Sequence, residues 1–136
     1  MSPADIDQVT RTWSVASVDI DSLRRALAAR LHGSAAFRLQ RADWIIGAVS
    51  ALTPALARPT AFGPIASELV AVRCPVTMDE LTQERDALLG ALAERCGRLT
   101  QASEHAWRLA IGLFAEIVAS SGLDPFGASD RVEPNR

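Results

Sequence analysis

The stretch that decides the fold runs from Thr100 to Gly122 and reads TQASEHAWRLAIGLFAEIVASSG. Trp107, Ala110, Ile111, Phe114, Ile117 and Val118 recur at steps of three and four, so they share one face of a helix. An apolar stripe this long belongs to a helix that buries that face against other helices. Thr100 opens the helix and Gly122 ends it. Immediately upstream, Thr77 and Glu80 have the spacing of a capping box, and Leu81, Leu88, Leu89 and Leu92 follow on a long helix that reaches Cys96. Gly97 is its terminator. Two long helices joined by a short turn pack antiparallel, which predicts Trp107, Ile111 and Phe114 against Leu88, Leu89 and Leu92.

Working outward, the chain opens with Ser2-Pro3-Ala4-Asp5, a cap followed by proline at the first helical position and an acid in the first turn. Val9 and Trp13 lie four apart on the helix that follows. Asp19 or Asp21 opens a second helix with Ile20, Leu23, Leu27 and Leu31 at helical spacing, and Gly33 is its expected stop. Ser34 to Gln40 is expected to form a short turn or helix with Phe37 inward. From Asp43 a new stripe begins with Trp44, Ile45, Ala48, Val49 and Leu52, and Pro54 should end or kink it. Pro59, Gly63 and Pro64 make 58–64 a loop, after which Pro64 starts a short helix carrying Ile65, Leu69, Val70 and Val72 that Pro75 stops. No internal repeat or strand-period segment interrupts this pattern. The expected fold is all-α, a bundle of six to seven helices over residues 1–122, with a polar tail over 123–136 expected to be mobile.

The totals agree with one domain. The chain has 136 residues, of which 49% are hydrophobic, enough for a sizeable core. A formal charge of −2 and a pI near 5.6 argue against nucleic acid or an acidic membrane as partner. All 14 basic residues are arginine, and there is no tyrosine. Cys74 and Cys96 do not form a disulfide framework, the N-terminus carries no signal-peptide pattern, and no apolar run is long enough for a membrane span. A cytoplasmic protein is the expectation.

Within this order of helices, several pieces resemble a globin, specifically the bacterial single-domain type. They are Ser2-Pro3-Ala4-Asp5 with Val9 and Trp13, the segment Leu27-Ala28-Ala29-Arg30-Leu31, Arg85-Asp86-Ala87-Leu88-Leu89, and Thr100 with Ala106-Trp107. The resemblance covers roughly residues 2–120 and implies a globin-like bundle with a haem pocket. It departs from the family at the histidine that holds haem iron. The corresponding stretch, Leu69 to Val76, contains no histidine. The segment from Phe37 to Pro64 is also shorter than a globin's corner and distal helix, and Trp44 is the nearest aromatic to the phenylalanine that packs on haem there.

Cys74 is the one donor in that stretch, and a thiolate can ligate ferric haem, so Cys74 is the candidate metal ligand. Arg73 could neutralise a propionate, and Trp44 could pack on the ring. These three residues are the candidate cofactor site, to be filled only if haem binds. His32 and His105 stand alone, without acidic partners at ligand spacing, which does not suggest zinc. Cys96 reads as a small core residue, and the cluster Asp79, Glu80, Glu84, Arg85 and Asp86 as a wet helix face. No phosphate loop, Ser/His/Asp set or paired carboxylates point to catalysis. The expected function is therefore a globin-like domain without conventional haem. It would act as a regulatory, sensory or interaction module, with a protein partner or an apolar ligand in the residual cavity. The alternative is an atypical haem globin that senses O2 or NO through Cys74. Leu109 and Leu113, off the main stripe, suggest a homodimer through the last two helices.

Overall fold

Short polar side chains start the helices. The computed structural model describes residues 1–73 and 78–120; the side chains of Val72, Arg73 and Met78 lie outside that description. Helix α1 (Pro3–Ala16) begins at Ser2, whose hydroxyl accepts from the Asp5 amide at 3.1 Å, while the Asp5 carboxylate accepts from the Ser2 amide at 3.1 Å. Asp19 caps α2 (Ile20–Ala28) and Ser34 caps α3 (Ala35–Ala55), each accepting the amide three residues on at 3.1 Å. Helices α4 (Pro59–Arg73) and α5 (Met78–Cys96) follow. Thr100 caps α6 (Gln101–Ser120), its hydroxyl accepting from the Ser103 amide at 3.0 Å. The described residues are all-helical, and no helix among them is long and apolar enough to cross a membrane.

Four expectations are corrected. The turn expected around Ser34–Gln40 is the first half of α3, which runs unbroken for 21 residues. The Ser34 cap, with no proline before Pro54, lets the helix start eight residues ahead of the Trp44 stripe. Phe37 does not point inward; it is 51% exposed and its ring lies over Gly33. A Cβ on Gly33 would stand 2.8 Å from that ring, and the residue has φ +112°, so glycine is required twice over. Helix α2 stops at Ala28, short of Gly33, and Ile20 at its start is exposed. Finally, 58–64 is not a loop. Pro59 occupies the first turn of α4, where its missing N–H costs nothing, and Ala61 and Phe62 both donate to the Arg58 carbonyl. Pro64 therefore sits inside the helix it was expected to start. The Pro75 stop, the Thr77 half of the α5 capping box, the Gly122 stop and the tail over 123–136 lie outside the described residues.

The core forms where α2 crosses α3 and α5. Leu23, Leu27 and Leu92 are fully buried there. Helix α6 was expected against α5; its larger contact is with α1, where Trp13 and Trp107 meet at 6.2 Å between centroids and 57° between planes. The tilted geometry suits two aromatic quadrupoles. Of the α6 stripe, Trp107 and Val118 are buried, while Ala110, Ile111, Phe114 and Ile117 are half-buried against the core. Leu109 is exposed as expected for an interface, but Leu113 packs on the core.

Replacing Leu92 by Ala leaves a sealed void at the centre of the core and should cost about 2–5 kcal/mol, read as a shift in the urea midpoint at unchanged slope. A loss below about 0.5 kcal/mol would place Leu92 outside the core.

The caps carry a pH signature. Hydrogen bonds from Ser22 to Asp19, and from Ser2 to Asp5, hold both carboxyls below the ordinary 3.8. A depressed folded-state pKa contributes stability that is complete above the unfolded value of 3.8 and is lost as pH falls through the lower folded value. Asp19→Asn keeps a good cap but has no proton to gain, so its stability should fall less steeply than wild type below pH 3.8. Parallel acid curves for the two proteins would contradict the assignment.

Candidate functional site

Along α3 the residues Arg41, Trp44, Ile45 and Ala48 follow one another at steps of three and four, so an arginine sits on the apolar face. On α5, Glu84 occupies the same kind of position between Leu81 and Leu88. The fold brings the two together. Arg41 Nε and Nη2 donate to the Glu84 carboxylate at 2.5 and 2.9 Å, a bidentate pair with side-chain exposures of 7% and 14%. The guanidinium carbon also lies 4.4 Å from the centre of the Trp44 ring, a cation–π contact. Glu84 is therefore not part of a wet helix face, as its charged neighbours in sequence suggested. A carboxylate in that position is removed from water, which is tolerated because a planar guanidinium satisfies both of its oxygens.

Beside this pair an apolar crevice of about 100 Å³ opens between α3, α5 and α6. Trp44, Ile45 and Val49 form one wall, and Trp107, Ile111 and Phe114 the other. The walls meet where Trp44 and Phe114 pack on each other, with centroids 6.4 Å apart and planes at 59°. Phe62 from α4 and Leu88 from α5 close it below. The polar residues among the described lining are few: Thr53, Glu84 and Arg85. Glu84 is occupied by Arg41, and Arg85 lies 3.2 Å from Asp86. Thr53 is buried as a residue and its hydroxyl makes no hydrogen bond to any described residue, but that oxygen is not sealed by protein atoms. Trp107 Nε1 is sealed without a partner, which is unusual for a buried donor.

The residues singled out from the sequence are not gathered at one place. Trp44 lines the crevice. Arg73 is the last residue of α4 and its side chain, like all of Cys74, lies outside the described residues. His105 is exposed on α6, and His32 lies past the end of α2, exposed, with its Nδ1 against Gln83 Nε2. Cys96 is half-buried, with Sγ 3.7 Å from the Thr12 carbonyl, and burial pushes its thiol pKa up, as befits a core cysteine rather than a nucleophile. Among the described residues no three His, Cys, Asp or Glu side chains are grouped to hold a metal.

The lining also tests the haem that the globin resemblance implies. Haem iron takes an axial His, Cys, Met or Tyr. None of these residue types is among the described residues that line the crevice, and the volume is well below the several hundred Å³ of an ordinary cofactor site. These described lining residues do not fit the group; Cys74 lies outside them.

Comparison of the chain with protein-family models, with curated proteins and with solved structures returns no match.

Glu84→Ala leaves a buried guanidinium unpaired and should cost about 3–5 kcal/mol in chemical denaturation. Arg41→Met combined with Glu84→Leu removes both charges and should regain most of that loss. A double variant no more stable than Glu84→Ala would mean that the pair is not isolated from water as described.

Proposed function

We propose that the chain is a globin-like helical domain that works without haem, as a regulatory or sensory module that responds to a small apolar ligand held between α3 and α6. The observation that carries this reading is the crevice itself: aromatic and aliphatic walls, a Thr53 hydroxyl without a hydrogen bond to a described residue, and no axial ligand among the described residues on its lining. The order of the helices supports the globin-like part. A 14-residue first helix and a shorter second precede a middle pair, and helices of 19 and 20 residues are the last of the described residues. The crevice lies between the middle pair and the last two helices. A non-enzymatic role fits a site with no free nucleophile and no base within reach of one among the described residues, since acid–base and nucleophilic chemistry both need such a group at hydrogen-bond distance.

Titration of the purified full chain with haemin tests the reading. The expected result is no saturable one-to-one Soret band, with any weak binding lost in Cys74→Ala. Tight stoichiometric binding that survives Cys74→Ala would overturn it.

A further inference from the structure

We infer that the crevice takes a neutral, one-ring apolar molecule carrying a single hydrogen-bond acceptor, received by the Thr53 hydroxyl. This deepens the proposed reading and rests on it for the location of the site. Size comes first. About 100 Å³ is the same order as the ~150 Å³ apolar cavity that admits benzene, so the crevice suits one ring and excludes a fused-ring cofactor. Trp44 and Phe114 pack on each other in a tilted contact, so a guest lies beside this pair, against side chains such as Ile45, Val49 and Ile111, and not between its rings.

Charge is decided by the lip. Glu84 has both oxygens on Arg41, and Arg85 is beside Asp86. Each charge already has its counter-ion, so an ionic ligand would lose its water without gaining a partner. The acceptor is decided by Thr53. The residue is more than nine-tenths buried on the crevice lining, with no hydrogen bond to a described residue. Its hydroxyl oxygen is not sealed by protein atoms, so an acceptor on a guest in the crevice can take its proton in a hydrogen bond. Trp107 Nε1 is covered by protein atoms and takes no part.

Acetophenone and α-methylstyrene have the same shape, and only the first bears an acceptor. Each is titrated into the full 15N-labelled chain, wild type and Thr53→Val, and followed at the backbone amides and the three indole N–H signals. The expected result is saturable shifts at Thr53, Phe114 and the Trp107 indole. The preference for acetophenone should fall roughly three- to tenfold in Thr53→Val, whose isosteric side chain keeps the fold and the volume. Trp107→Phe identifies the Trp107 indole signal by its absence. No saturable shift with either compound at millimolar concentration, or an unchanged preference in Thr53→Val, overturns the inference. A Soret band on adding haem strikes instead at the reading beneath it, so the two failures are told apart.

Discussion

Trp13 on α1 and Trp107 on α6 meet at the join that makes one body of the six described helices. Ser103 donates to Gln8 across the same seam at 2.7 Å, a contact between residues 95 apart in sequence. Closing so long a loop costs entropy that grows only slowly with its length, so one well-packed seam suffices to tie the ends together. Two large apolar rings are a strong means of doing so, because each removes much surface from water in a single contact. With α1 and α6 joined, α2 is enclosed between α3 and α5, and Leu23, Leu27 and Leu92 fill the space with no exposure. The same indole that closes the seam forms a wall of the crevice, so stability and the candidate site share a residue.

Against this apolar background the Arg41–Glu84 pair looks misplaced as a stabilising device. Replacing such a pair with hydrophobic side chains is often neutral or better. Its value lies in position. It fixes α3 relative to α5 at one register and, through the Arg41 contact with Trp44, sets the angle of the ring that flanks the crevice. Surface pairs such as Arg30–Glu94, at 2.8 Å and roughly half exposed, have no comparable hold on geometry.

Much of the fold was legible in the spacing of apolar residues and caps. Ser2 with Asp5, Asp19, Thr100 and Gly97 mark boundaries where the helices do begin or end, because capping is a local transaction between a side chain and the nearest free amides. The middle of the chain was harder. Proline and glycine at 59, 63 and 64 look like a loop in sequence, yet Pro59 falls where a helix tolerates proline and the rest is carried by packing of Phe62 and Ala66. Phe37 was misjudged because its burial depends on a partner surface that α3 turns away from. Of the site, Trp44 was legible as the aromatic nearest the pocket. Arg41 and Glu84 were signalled by charges on two apolar stripes, but pairing them needs the crossing of α3 and α5, which no local pattern contains. Thr53 was hidden inside a helix that already had an apolar explanation.

Two of the three prolines in the middle pair have a consequence for how the molecule breathes. Pro54 in the last turn of α3 and Pro64 within α4 each lack the N–H that would bond the carbonyl four residues earlier. The residues that carry those carbonyls, Ser50 and Thr60, are exposed. Opening the α3–α4 corner thus breaks fewer backbone hydrogen bonds than opening an equal length of α5 or α6, where no proline occurs. Free energies of local opening follow such differences. Amide protons near the corner would exchange ahead of those in the α2–α5 centre, so the corner is the part of the described body that loosens first.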